Sequence, residues 1–294
     1  MTNIIYKSMR TVYKTIQRIT GKKTRIGNFV LSVDPENSQP YIIKKFPDHG
    51  TALIRIANIV DTKYKNLSII DVGANFGDTA AMLLTDNGNY NIYCIEGDVE
   101  AFKLLSRNFA SNKQTHLYKV FLSDKNESLS INFDKNNGSL RLETGHNLNR
   151  NNDINFISLD SLIMDNPNVG RSKLLKIDTD GYDFRIMRGS YRFLQQIKPI
   201  IFFEYDNVYL DKTGERPTDI FKYLKSLGYS MLAFYDNYGR FLISTKTNEE
   251  RILKQLDRYI TNRKGTCPYY DVAAFHESDA EIADSFVANE ENRS

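Results

Sequence analysis

The run Leu67-Ser68-Ile69-Ile70-Asp71-Val72-Gly73-Ala74-Asn75-Phe76-Gly77-Asp78-Thr79 limits what this chain can fold into more than any other stretch. Ser68 to Val72 is apolar and rich in β-branched residues, the length of one buried strand of a parallel sheet. Gly73 and Gly77 follow, and Thr79 to Leu84 has helical character. Strand, glycine turn and helix, in that order, make the ligand-binding element of an open α/β sheet. Glycine lets the backbone bend and a ligand approach, and the helix N-terminus presents N–H groups that lack intrahelical partners. Turn glycines also occur in α/β domains that bind nothing there, so this run alone leaves a structural role open.

Tyr90 to Ile95 is a second short strand, ending in Glu96-Gly97-Asp98. Glu96 stands about twenty residues after the turn, where a nucleoside-binding sheet places an acid against the ribose hydroxyls. The glycine pattern separates the candidate ligands. A dinucleotide fingerprint needs G-x-G-x-x-G, whereas this chain has Asp71-x-Gly73-x-x-x-Gly77, and Asp71 would repel a pyrophosphate. S-adenosylmethionine (SAM) has no phosphate, and its ammonium and sulfonium suit carboxylates. The pattern favours SAM over NAD.

A length of 294 residues suits one large α/β domain with additions, or two small ones. The formal charge of +3 is too small to imply nucleic-acid binding. Cys94 and Cys267 make neither a disulfide framework nor a zinc pattern, which fits a reducing cytosol. No apolar run has transmembrane length, and no signal-peptide core opens the chain.

Residues 1–25 contain seven Lys or Arg and no Asp or Glu. Ile5, Met9, Val12, Ile16 and Ile19 share an arc of about 80°, with Lys7, Arg10, Lys14 and Arg18 opposite, which predicts a basic amphipathic helix. It would either pack on the body or on a second copy, making a homo-oligomer, or meet an anionic membrane surface or an acidic partner. Residues 26–66 form a lead-in to the first core strand: a strand over Asn28–Val33, a strand or extended arm over Tyr41–Phe46, and a helix over Gly50–Val60.

The main domain is expected over 67–275. A helix over Val99–Ser111 leads to a third strand, Leu117–Leu122, ending in Ser123-Asp124. An acid or amide here could accept from an adenine amino group, or simply serve the turn. Residues 125–156 break the βα rhythm, as a lid, substrate loop or added hairpin does, and carry the acceptor-binding candidates Arg141 and His146. The fourth strand, Lys173–Asp178, runs into Thr179-Asp180-Gly181-Tyr182-Asp183, a cluster of carboxylates at the strand end where open sheets bind ligands. The fifth, Pro199–Phe203, ends in Glu204-Tyr205-Asp206. If these strands are neighbours, Asp178 and Glu204 face one crevice. The same acids could instead cap helices and pair with Lys176 or Arg185. A helix over 217–227, a hairpin over 229–244, a helix over 248–261 and a strand over 270–275 complete the domain. Residues 276–294 read as an acidic, fraying tail.

Taken as a set, Ile70–Gly77, Cys94-Ile95-Glu96, Ile157–Leu162, Leu175–Asp183 and Ile200–Glu204 resemble the FkbM family of SAM-dependent methyltransferases, across roughly residues 67–245. The resemblance implies a class I, Rossmann-type fold: a mostly parallel sheet with antiparallel C-terminal edge strands, here with an N-terminal helical extension. It also implies methyl transfer to oxygen, often on a sugar or polyketide. The chain departs from the family at Asp180-Gly181 and Asp183, where Glu is usual, and at Gly97, where Pro is usual.

Cofactor contacts are expected from Asp71, Gly73, Ala74, Asn75, Gly77 and Thr79 in the first turn, Glu96 and Gly97 in the second, Ser123 and Asp124 in the third, and Asp178. Asp178, Asp180 and Glu204 are the catalytic candidates. Arg141, His146 and Tyr205 are the acceptor-binding candidates. The expected reaction is SAM-dependent O-methylation of a saccharide or lipid-linked glycan in surface polysaccharide synthesis, in the cytoplasm or at the inner face of the membrane. A carboxylate such as Asp178 or Glu204 would take the hydroxyl proton or bind a divalent cation. An NAD(P)-dependent oxidoreductase would need a dinucleotide glycine pattern and a placed proton relay. A SAM-binding module without turnover would not need the full acidic set Asp71, Glu96, Asp178 and Glu204.

Overall fold

The computed structural model describes residues 22–130, 132–136, 139–143, 153–179, 181–212, 214–261 and 267–293. The amphipathic helix expected before residue 22 lies outside them. The chain begins with an antiparallel hairpin, β1 (Lys22–Ile26) and β2 (Phe29–Val33), so residues 22–25 belong to a strand and not to the basic helix expected over 1–25. Helix α1 (Gln39–Lys45) follows where a strand or extended arm was expected. Its β-branched and aromatic residues suggest strand, but Pro40 sits in the first helical turn, where its missing N–H costs nothing. Helix α2 (Thr51–Tyr64) leads to β3 (Ser68–Val72), α3 (Asp78–Asp86), β4 (Asn91–Ile95), α4 (Val99–Phe109) and β5 (Thr115–Tyr118).

The expected third strand is split. β5 belongs to the main sheet, while β6 (Phe121–Leu122) turns away and pairs with a later strand. The interruption after it contains β7 (Glu127–Ser130) and a hairpin of β8 (Asn132–Asn136) and β9 (Ser139–Glu143). β10 (Asp153–Ile157) then pairs with β6 on one side and β7 on the other. Next come α5 (Leu159–Asp165), β11 (Leu174–Ile177), α6 (Asp183–Arg188), α7 (Tyr191–Ile197) and β12 (Ile200–Tyr205). The chain closes with α8 (Asn207–Lys212), α9 (Asp219–Ser226), β13 (Tyr229–Asp236), β14 (Phe241–Lys246), α10 (Glu250–Thr261), β15 (Tyr270–His276) and α11 (Ala280–Glu291).

The main sheet has the order β14-β13-β15-β12-β11-β3-β4-β5. β12 to β5 run parallel, and β15, β13 and β14 form an antiparallel edge. Apolar clusters cover both faces, which is why its central strands are apolar almost throughout. From β3 the chain steps outward through β4 and β5, then returns to β11 on the other side. The strand order therefore reverses between β3 and β11, and open sheets place their ligand crevice at such a reversal.

The C-terminal segment is not a fraying tail. Ile282, Ala283, Phe286 and Val287 of α11 are buried, and the Phe286 ring packs 5.5 Å from that of Phe275. Arg55 of α2 donates to both oxygens of the buried Glu290, at 2.5 and 2.6 Å. An apolar stripe at helical spacing, Ile282, Ala283, Phe286 and Val287, runs among the acidic residues and docks the helix.

Candidate active site

A cavity of about 410 Å³ opens at the C-terminal ends of β3, β4, β11 and β12. Its floor is the strand reversal. Gly73 follows β3 with φ +78°, and a Cβ there would lie 1.9 Å from the carbonyl oxygen of Asp178, which follows β11. Gly77 has φ +94°, and a Cβ there would strike the Phe109 ring at 2.4 Å. These glycines are required because protein packs against them, before any ligand is considered. The turn amides are also occupied. The Gly73 and Ala74 N–H groups donate to the Ile95 carbonyl at 3.0 and 3.1 Å, and the Asn75 N–H donates to Glu96 Oε2 at 2.9 Å.

Glu96 therefore braces the turn as well as facing the cavity. Its Oε1 accepts from the Asp98 N–H at 2.7 Å. A carboxylate has about four acceptor positions, so two remain for hydroxyl groups. Burial pushes the Glu96 carboxyl up to about 7, against the pull of the two N–H donors. Asp98 in turn caps α4, accepting from the Glu100 and Ala101 N–H groups.

Lys176 is the cation at the centre. It stands opposite Asp71 in the β3–β11 register, with Nζ 3.0 Å from Asp71 Oδ1 and 3.4 Å from Asp178 Oδ2. Burial alone would lower its pKa, but Asp71, Asp178 and Asp78 together hold it above the ordinary lysine value, so it stays charged. Burial likewise pushes the enclosed Asp71 carboxyl upward, and Lys176 opposes that. Asp71 thus lies beneath the cavity as the counter-ion of Lys176, a structural role where a cofactor contact was expected. Asp78 is pushed up to about 6 by burial, opposed by Lys176.

Asn75, Thr79, Glu96, Gly97, Asp178 and Glu204 line the cavity together with Gly73. Several other candidates stand elsewhere. Ala74 and Gly77 are buried behind the turn, and Gly77 donates to the Ala74 carbonyl. Ser123 lies just past the wall residue Leu122; its N–H donates to the Ile157 carbonyl and its hydroxyl to Asp124 Oδ1, so the pair serves the β6–β10 junction. Tyr205, expected to bind acceptor, points to the opposite side of β12 from Glu204. Its ring stacks on Phe221 and its hydroxyl donates to Asp257 Oδ1 at 2.8 Å. Asp180 and His146 lie outside the described residues, as does the side chain of Arg141 in β9. Asp183 folds back as a cap, accepting from the Thr179 hydroxyl at 2.9 Å, and burial holds it up at about 7.

Three residues that the sequence reading passed over also line the cavity: Asp78 of α3, His49 before α2, and Asp271 of β15. Asp271 offered one signal, a charge inside the apolar run Tyr270–Phe275, and burial with the Asp178 charge pushes it up to about 8. Asp98 and Asp206 bring the lining carboxylates to seven with Asp78, Glu96, Asp178, Glu204 and Asp271, against Lys176 as the one lysine or arginine, among the described residues. The Tyr182 hydroxyl is buried at the cavity with no hydrogen-bond partner among the described residues. No group of three or more His, Cys, Asp or Glu among the described residues is placed to hold a metal ion.

The sequence matches none of the curated proteins. Among solved structures, the chain is similar to a methyltransferase FkbM from Methylobacillus flagellatus, with TM-score 0.40, 16% identity, and 56% of this chain against 39% of that one. It spans well under half the length of that relative. It is also similar to TYW2 of M. jannaschii in complex with AdoMet (TM-score 0.41, 11% identity, 87% and 85% of the chains) and to the human methyltransferase 10 domain containing protein (0.43, 10%, 92% and 96%). The methyltransferase FkbM domain matches residues 71–231. That span holds the glycine turn, Glu96, Lys176, Asp178 and Glu204, and the chain belongs to the FkbM methyltransferase family.

Proposed function

We propose that this protein transfers the methyl group of SAM to a hydroxyl of a saccharide or lipid-linked glycan. The observation that carries the reading is the seven carboxylates that line the cavity at the strand reversal against the single cation Lys176, among the described residues, a lining that suits a cationic methyl donor and repels a dinucleotide pyrophosphate. The remaining acceptor positions of Glu96, beyond the Asn75 and Asp98 N–H groups, fit a ligand rich in hydroxyl groups. Bound SAM supplies an electrophilic methyl group on a sulfonium. Glu96 would accept from the ribose hydroxyls, and Asp78 and Asp178, which line the same cavity, would hold the ammonium end. Asp178 and Glu204 end adjacent strands and orient the acceptor hydroxyl. Such alignment contributes much of the rate in a displacement that needs nucleophile and methyl group in line.

The tyrosines Tyr209 and Tyr269 on the wall support a sugar acceptor, because tyrosine rings offer flat apolar faces with polar tips. Surface polysaccharide synthesis in the cytoplasm, at the inner face of the membrane, is the setting this reading assigns. The test is transfer of radiolabelled methyl from SAM to a panel of saccharides and lipid-linked saccharides, beside calorimetry with SAM and NADH. Labelled product with SAM binding is expected. NADH binding without SAM binding points to the oxidoreductase, and SAM binding with no product from any acceptor points to a module without turnover.

A further inference from the structure

Every residue of β12 is buried except Glu204, and every residue of β15 is buried except Asp271. The antiparallel register sets these two directly opposite each other. Strand alternation puts them on one face of the sheet, with Phe202 and Ala273, while Tyr205 and Tyr270 turn to the other. Both acids line the cavity, so two closed strands open into it at a single paired position. Asp271 lies beyond the span matched by the family, which ends at residue 231.

Two carboxylates placed directly opposite, about 5 Å apart at Cβ, disfavour being ionised together, so one of the two holds a proton more tightly. The surroundings select Asp271. Glu204 faces it from β12, Tyr235 and Asp236 from β13, Asp178 and Lys176 from β11, and Asp183 from the start of α6. Lys176 is the one cation in that set. Burial, then the Asp178 charge, push the Asp271 carboxyl up to about 8, with Lys176 opposing them. A carboxylate with this proton affinity is a stronger base than an ordinary one, and proton transfer is most effective when the base titrates near the working pH. Four other carboxylates of the cavity are engaged. Asp178 Oδ2 lies 3.4 Å from Lys176 Nζ, Glu96 braces the glycine turn, Asp98 caps α4, and Asp206 accepts from the Tyr209 N–H at 3.3 Å.

We propose that Asp271 takes the proton of the acceptor hydroxyl, while Glu204 opposite it holds that hydroxyl in place. As the acceptor oxygen forms its bond to the methyl carbon, the sulfur–carbon bond breaks and its electron pair stays on sulfur, discharging the sulfonium. The hydroxyl proton moves to a carboxylate oxygen of Asp271 and leaves to solvent after product release. The ionised form of Asp271 is the active one, so the rate follows its deprotonation and rises with pH. This inference rests on the O-methyltransferase reading above.

Asp271→Asn keeps the shape of the side chain and removes the base. With a hydroxyl acceptor from the saccharide panel, kcat is expected to fall about 100-fold or more, the range of a lost general base, while the Kd for SAM stays within about twofold. In the wild type, kcat should rise with pH toward a plateau above about 8, and the variant should lack that rise. A variant kcat within about threefold of wild type, or a loss confined to SAM affinity, overturns the proposal. So does a wild-type rate that stays flat from about pH 5 to about pH 9, a result that needs no variant to fold. Failure of the O-methyl reading looks different: wild-type protein binds SAM and methylates no hydroxyl, and the proposal then falls with that reading.

Discussion

The two halves of the cavity are built differently. The half over β3 and β4 comes from short local turns whose backbone is satisfied internally: Gly73, Ala74 and Asn75 donate to Ile95 and Glu96, and Glu96 also accepts from Asp98. The half over β11, β12 and β15 comes from single side chains on distant segments, with His49 from before the main sheet, Asp178 and Glu204 from its centre, and Asp271 from its last strand. The first half owes its shape to hydrogen bonds between near neighbours in sequence. The second owes its shape to strand order, and its charges are balanced across the sheet through Lys176. Substitutions in the two halves should therefore have unequal effects.

The largest effect is expected at Lys176, where the halves meet. Lys176→Met leaves Asp71 buried without its counter-ion, and breaking a buried pair in this way costs about 3–5 kcal/mol. Chemical denaturation of the unligated protein measures it, and a loss below about 1 kcal/mol would mean that Asp71 does not depend on the lysine. Next comes the local half. Glu96→Ala should weaken SAM binding by about 1.5–3 kcal/mol, the worth of hydrogen bonds to a charged group. Calorimetry on a folded variant that shows unchanged affinity would remove the ribose role and leave Glu96 as a brace for the turn.

The smallest effect is expected in the distant half and depends on pH. Asp271 titrates near 8 in the folded chain against 3.8 as a free side chain. A raised folded value means that the folded state holds the proton more tightly, so the stability it contributes is present at low pH and is lost as pH rises through about 8. Asp78 near 6 and Glu96 near 7 act in the same sense. The lowered values of His49 and His276 act oppositely, losing stability as pH falls through their folded values. Because the unfolded carboxyl ionises near 3.8, the loss begins well below pH 8, and Asp271→Asn should raise the stability of the unligated protein by about 1–2 kcal/mol more at pH 8.5 than at pH 5. Thermal melts at the two pH values check this, and equal shifts at both would show that the effect is packing and not charge.

The parallel core, its antiparallel edge, the glycine turn and the acids that end β4, β11 and β12 are legible in the order of the amino acids alone. Each is a signal contained in one strand and the turn after it, where apolar run, glycine and acid follow within a few residues. Only the tertiary structure decided the rest. Tyr205 and Glu204 are adjacent in sequence, but strand alternation sends one into the core and the other into the cavity. The last segment looked like a solvated tail until Phe286 met Phe275 and Glu290 met Arg55. His49 and Asp271 stand more than two hundred residues apart and reach one cavity because β15 inserts beside β12 and the β13–β14 turn clamps the loop before α2. Such convergence depends on strand order and backbone contact, which leave no local periodicity to read.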